Sequence, residues 1–234
     1  MAEGGKKLAF VKNELAKMVK EGVSSWDIEA KADELIKKSG GEASFKKVAD
    51  YRWATCVNVN DGLVHGIPSK KVTFKKGDVV SIDVGLYFKG FHTDTSVTVA
   101  IEPDKETLKF LETGRRALKQ AILQAKPGKK ISDISRAIQE TIEKESYNPI
   151  KALVGHGVGR NLHEEPAIPC FVTDHTPEIK AGMALAIEVM YALGSPEVVM
   201  ENDGWTISTR DGKIAALYEE TVAVSKNGTF VLTT

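Results

Sequence analysis

Cysteine is almost absent from this chain. Cys56 and Cys170 are the only two in 234 residues, they lie far apart, and neither sits in a C-x-x-C spacing. That argues against a disulfide scaffold and fits a reducing, cytoplasmic setting. Long hydrophobic runs are also missing. No stretch approaches the length that spans a bilayer, and the opening segment MAEGGKKLAF has no apolar core of the kind a signal peptide needs. An excess of charge of either sign is missing too. Lys plus Arg and Asp plus Glu both number 32, the net charge is zero, and no basic run forms a nucleic-acid stripe. What remains is an ordinary globular composition, 42% hydrophobic and 27% charged, in a chain long enough to bury a substantial core.

Four carboxylates stand out from this plain background. GDVVSIDVGLYF and GFHTDTSVTVAI read as two strands around a Lys89–Gly90 turn. A two-residue loop sets Phe88 opposite Phe91 and Asp83 opposite Ser96, which makes Asp94 the diagonal neighbour of Asp83 on one sheet face. Aspartate is depleted from strand interiors, and two on one buried face repel unless a cation lies between them; the plainer alternative is a solvated pair. Glu188 is embedded in ALAIEVMYAL, where a lone carboxylate is costly to desolvate or stays protonated. Glu219 follows an Asp211–Gly212 turn, read as a hairpin, and its neighbour Glu220 must face the other way. Four carboxylates balance two divalent cations, with a bridging water acidified by both ions. Oxygen-rich ligation with one imidazole suits Mn, Fe(II), Co or Zn.

The chain also repeats itself. Aligning Gly22 with Gly128 sets EGVSSWDIEAKADELIKK against PGKKISDISRAIQETIEK, with a serine near each helix start, Ser24 or Ser25 and Ser132. Gly77 precedes Asp83, and Gly182 precedes Glu188, by six residues each. The order helix, glycine, helix, strand, acid, strand, acid occurs twice. Chance similarity of amphipathic helices is the bland alternative. The repeat predicts a single α/β (α+β) domain over 1–234, with halves of about 6–103 and 104–234 and a boundary near Asp104. Both halves give antiparallel strands to a curved central sheet, helices cover its outer face, and the acids meet in the concave cleft. Helices are expected over 6–20, 26–39, 105–126 and 132–146.

Five histidines complete the inventory. His156 lies in GHGVGR, where glycines let backbone approach a ligand. His163 follows in LHEEP and His65 lies in LVHGIPS; His92, two residues before Asp94, is expected on the same face as a supporting donor, and His175 in a solvated loop. With these in place the chain resembles the methionine aminopeptidases, the pita-bread metallopeptidases, in VHGIPS, SIDVG, HTDTS, GHGVGRNLHEEP, AIEVM, GWT and YEETV, in order and over nearly the whole length. The short interval between His163 and Glu188 is similar to that of the type I enzymes.

The resemblance implies a set of roles. Asp83, Asp94, His156, Glu188 and Glu219 would hold two divalent ions, Asp94 and Glu219 bridging. Glu188 would shuttle a proton to the leaving amine, His163 would bond the scissile carbonyl or its oxyanion, and His65 would contact the substrate near the scissile nitrogen. Tyr51, Cys56, Leu162 and Trp205 are candidate walls of a pocket for a methionine thioether. Leu162 stands where the family has an aromatic, Val189 where it has proline, and Arg52 and Trp53 replace smaller or rigid residues, so the pocket shape is this chain's own. The substrate would be the N-terminal peptide of nascent polypeptides; a monomer working at the ribosome is expected. Two alternatives keep the fold: a proline-directed aminopeptidase or dipeptidase, whose relatives carry an extra N-terminal domain, and a noncatalytic binding module that has lost its ligands.

Overall fold

Regular apolar spacing gives each long helix one buried stripe, and the strands between them fill the space that those stripes face. The computed structural model describes all residues 1–234. Helix α1 runs Ala2–Met18 and α2 Ser25–Lys38; strands β1 Glu42–Ala43, β2 Thr55–Val59, β3 Gly62–Val64, β4 Val79–Phe88 and β5 Phe91–Ala100 complete the first half. Helices α3 Lys105–Gln124 and α4 Ile131–Glu143 open the second. Strands β6 Asn148–Pro149, β7 Val154–Gly157, β8 Glu164–Pro169, β9 Ala184–Ala192, β10 Val198–Met200, β11 Ile207–Thr209, β12 Ala215–Ser225 and β13 Gly228–Val231 follow.

Ten strands form one antiparallel sheet in the order β1-β4-β5-β12-β9-β7-β8, with β2 beside β4, β6 beside β9 and β13 beside β12. The two-residue Lys89–Gly90 turn fixes the β4–β5 register: Phe88 pairs with Phe91 and Asp83 with Ser96. Helix α1 packs on β4 and β5, and α3 on β9 and β12. Leu8, Val11, Leu15, Ile28 and Ile36 from the first helix pair meet Val80, Ile82, Val84 and Leu86 in one core. Phe110, Ile134, Ile138 and Ile142 meet Leu185, Ile187, Val189 and Tyr191 in the other.

The halves share hydrogen bonds as well as order. The N–H of Gly22 donates to Phe74 O and that of Gly128 to Ile179 O, both at 3.0 Å. Those of Gly77 and Gly182 donate to Ile101 O and Val224 O, both at 2.8 Å. All four glycines have positive φ, which only glycine adopts freely.

Three details differ from the sequence-based expectation. Helix α1 begins at Ala2 rather than residue 6, because Gly4 and Gly5, poor helix formers, let its first turn lie against its neighbours: a Cβ on Gly5 would sit 2.2 Å from Leu232 O. Ser24 caps α2, but Lys130 precedes α4 in the capping position. There the Asp133 carboxylate accepts from Lys130 N at 2.8 Å, and Ser132 N–H donates to Thr176 Oγ1 instead. The Asp211–Gly212 turn does not close a hairpin around Glu219. It carries the chain from β11, in a separate sheet of order β10-β11-β3, into β12, which lies between β5 and β9.

Candidate metal centre

Strand register alone brings the acids to one place. A single row crosses four strands on one face: Asp83 of β4 is opposite Ser96 of β5, Ser96 opposite Glu219 of β12, and Glu219 opposite Glu188 of β9. Residues two apart share a face, so Asp94, two before Ser96, and His156, opposite Ala186 of β9, point the same way. Ligand atoms of Asp94, His156 and Glu219 lie within 4.8 Å of one another, and His156 Nε2 is 3.7 Å from Glu188 Oε1. His156 Nδ1 lies 2.8 Å from the Gly157 carbonyl oxygen. Donating its proton there leaves the Nε2 lone pair directed at the carboxylates.

Crowding and burial set the charge states. Burial, then repulsion from Asp94, pushes the Asp83 and Glu219 carboxyls well above the usual range, and Glu188 follows for the same two reasons. Burial raises Asp94 to about 7, opposed by the Thr95 N–H at 3.0 Å and by a hydrogen bond with Asp83. His156 is pushed down to about 4 by burial and is neutral at pH 7. Asp83 Oδ1 and Glu219 Oε1 are sealed from solvent without any hydrogen-bond partner. A buried orphan carboxylate oxygen is costly, and a cation removes the cost. Four hard oxygen groups and one imidazole nitrogen therefore fit divalent metal ions.

A cavity of about 120 Å³ opens beside Asp83, bounded by Phe45, Val48, Tyr51, Cys56 and Trp205, with His65 and His163 at its edge. The Tyr51 ring meets Trp205, Trp53 and Phe45 edge-on at 5.0, 5.2 and 6.4 Å. Its hydroxyl lies 2.9 Å from Thr55 O and 3.2 Å from Cys56 Sγ. Leu162 packs in the same cluster without facing the cavity. His163 stands edge-on to His156 at 4.5 Å, and burial holds both His65 and His163 below the usual imidazole range. His65 adopts φ +58°, a left-handed backbone that few residues other than glycine take, histidine being one of the commoner exceptions.

Some residues had no signal in the sequence. Phe45 and Val48 fall in the unpatterned SFKKV segment. Gly85 makes room for Phe45: a Cβ there would lie 2.7 Å from Ser44 Cβ and 2.9 Å from Phe45 Cε1. Buried Glu29, on α2, accepts from Ala54 N at 2.8 Å, Thr55 N at 3.0 Å and Thr55 Oγ1 at 2.8 Å, which anchors the segment carrying Tyr51 and Cys56. His92 corrects an expectation. Its Nδ1 is 2.9 Å from Ser44 Oγ and its backbone N–H donates to Gly159 O at 2.7 Å, so it braces two loops and bonds to no acid of the centre. His175 lies in an exposed turn.

Comparison with known proteins agrees with this geometry. The profile of metallopeptidase family M24 matches residues 1–226. The methionine aminopeptidase of Aquifex aeolicus is 43% identical over 236 aligned positions, covering 97% of this chain and 92% of the relative. Methionine aminopeptidase 1 of Bacillus subtilis is 41% identical, covering 100% and 94%. The crystal structure of the Thermotoga maritima methionine aminopeptidase superposes with a TM-score of 0.97 at 41% identity, covering 100% of this chain and 95% of that one. The prolidase of Pyrococcus furiosus shares the pita-bread fold at a TM-score of 0.79 and 24% identity, this chain covering 62% of it. By profile, sequence and superposition alike, the chain belongs to metallopeptidase family M24 and, within it, to the methionine aminopeptidases.

Proposed function

We propose that this chain removes the N-terminal methionine from newly made polypeptides, using divalent metal held by Asp83, Asp94, His156, Glu188 and Glu219. The observation that carries the ligand set is the pair of sealed, partnerless oxygens on Asp83 and Glu219, one from each half. Four carboxylates would balance the charge of two ions, Mn, Fe(II), Co or Zn, with Asp94 and Glu219 as shared ligands. When bound, such ions supply an acidified water and a Lewis acid for the scissile carbonyl.

The side chains supply the rest. Glu188 lies within 3.7 Å of His156 Nε2; it takes the proton of the attacking water and delivers it to the leaving amine. His163, neutral at pH 7 and at the cavity edge, donates to the carbonyl oxygen as charge develops there. His65, at the same edge, meets the substrate near the scissile nitrogen. The side chain of the first residue enters the cavity of about 120 Å³, on the order of four water molecules in size. Tyr51, Cys56 and Trp205, with Phe45 and Val48, form a wall of aromatic rings and sulfur that suits a flexible thioether, and Leu162 backs it. The whole chain acts as one catalytic domain made of two duplicated halves, as a monomer, in the cytoplasm and at the ribosome.

The test is hydrolysis of Met-Ala-Ser against Ala-Pro-Ala by protein loaded with each candidate metal. Release of methionine from the first supports the reading. Cleavage of only the second would make the chain a proline-directed enzyme, and cleavage of neither with any metal would leave a binding module.

A further inference from the structure

Directly behind the proposed metal ligands, on the helix side of the sheet, lies a buried polar knot that this reading does not use. Its centre is Lys12 of α1, 6% exposed in the middle of an otherwise apolar helix face. Lys12 Nζ is 2.5 Å from Glu220 Oε1 and 3.0 Å from Thr95 Oγ1. Thr95 Oγ1 is in turn 2.8 Å from Glu219 O and 3.1 Å from Glu220 Oε2. The second Glu220 oxygen also accepts from Thr233 Oγ1.

The position of this knot matters because of how the halves are joined. The central seam runs between β5 and β12, yet those strands share only the ladder pairs Glu219–Ser96 and Glu220–Thr95. On either side of these pairs threonine hydroxyls stand in for the ladder. Thr221 Oγ1 accepts from Asp94 N at 2.9 Å and donates to Asp94 O at 2.7 Å. Thr98 Oγ1 donates to Leu217 O at 2.6 Å and accepts from Leu217 N at 3.1 Å. The seam is therefore spread by a side chain at each end and closed only in the middle. Lys12 grips that middle, one residue from Asp94 on β5 and one residue from Glu219 on β12. Adjacent strand residues share a peptide plane and point to opposite faces, so a shift of Thr95 or Glu220 on the rear face moves Asp94 or Glu219 on the front.

We infer that Lys12 is a positioning residue that sets the separation of Asp94 and Glu219 by clamping Thr95 and Glu220 across the seam from behind. This rests on the reading of Asp94 and Glu219 as metal ligands. A surface ion pair would have no such leverage. This one is enclosed, bridges both halves, and involves the only charged side chain of α1 that reaches the seam between them.

The test is the full-length Lys12→Met variant. Metal affinity is measured by titrating metal-free protein with Co(II) or Mn(II) in a calorimeter, the ligand field by the visible spectrum of the Co(II) form, and kcat and KM separately on Met-Ala-Ser. Affinity is expected to fall by roughly tenfold or more, within the range that supporting shells around metal ligands supply. The Co(II) spectrum is expected to shift, with KM unchanged and Lys12→Arg recovering part of the affinity. Wild-type affinity and spectrum in Lys12→Met, even with a lower melting temperature, would overturn the inference and leave Lys12 a merely structural residue. Should that variant fail to fold, Lys12→Met/Glu220→Met removes both buried charges together; wild-type metal affinity there overturns it equally. Asp94→Asn run alongside separates the two readings: if Asp94→Asn binds metal like wild type, the ligand assignment has failed, whatever Lys12 does.

Discussion

The two halves of the molecule run the same program to different ends. Each has a helix, a left-handed glycine, a second helix and two long strands bearing acids. In the first half the strands are joined by two residues, and Asp83 and Asp94 are diagonal neighbours, Asp94 lying opposite Gly85. In the second half the strands are separated by an excursion through β10 and β11, and Glu188 and Glu219 lie directly opposite each other. The two outer strands differ as well. His156 sits opposite Ala186, two residues before Glu188, and its counterpart Asn58 sits opposite Ser81, two residues before Asp83. The first half thus offers short carboxylates and no imidazole, and the second offers long carboxylates with one imidazole. A symmetric scaffold holds an asymmetric centre, and only the second half's excursion brings Trp205 to the cavity. The repeated element order supplies the framework, and register and side-chain length supply the chemistry.

The comparison can be broken first at Asp94, the shared neighbour of every other acid. Asp94→Asn is expected to abolish peptide hydrolysis and lower bound metal, read by elemental analysis and activity on one sample; full activity would refute a dinuclear role for it. Next comes His163, which belongs to the second half but not to the ligand set. His163→Ala should leave metal content intact and slow kcat by about 100-fold or more, the loss expected for one oxyanion donor. Unchanged kcat would remove it from the mechanism.

A smaller effect is expected from removing the metal alone. Asp83, Glu188 and Glu219 are held well above their usual 3.8 to 4.5, so the folded metal-free protein keeps protons that the unfolded chain has lost. Stability then falls as pH rises through that window. The histidines are pushed the other way, with His156 at about 4, and they oppose this trend only below their ordinary value of 6.5. The clean window therefore opens above about pH 7, where the histidines have lost their protons in both states. The melting temperature of metal-free protein should fall across it, and saturating metal should abolish the slope. A flat profile without metal would mean that the acids are not protonated as a cluster.

The smallest expected change concerns the first half's share of the cavity wall. Glu29→Gln keeps one acceptor but loses the charge that strengthens its bonds to Ala54 and Thr55 and turns an amide NH2 toward one of those donors, a cost on the order of 1–3 kcal/mol. It should lower the melting temperature and raise KM for methionyl peptides, with bound metal unchanged. An unaltered preference among Met, Leu and norleucine at the first position would show that Glu29 does not shape the pocket.

Much of this was legible before the structure. The β4–β5 register follows from a two-residue turn, because loop length fixes which residues pair. The four helices lie within a few residues of their expected bounds, since apolar periodicity marks their buried faces. Fold and family followed from motifs in order. What stayed hidden was long-range. No sequence pattern marked Lys12, whose partner Glu220 is 208 residues away. Glu219 was singled out with Glu220 facing the other way, but what Glu220 meets on that rear face was not legible. Phe45 and Val48 lay in a segment with no period to read.

The sequence by itself determined the local elements, their repeated order and the charge types, because dihedral preferences, turn chemistry and apolar spacing act over a few residues. Only the tertiary structure decided which acids share a row, where His92 bonds and what lies behind the seam. Those contacts depend on strand pairing and sheet order across the whole chain, and no local pattern encodes them.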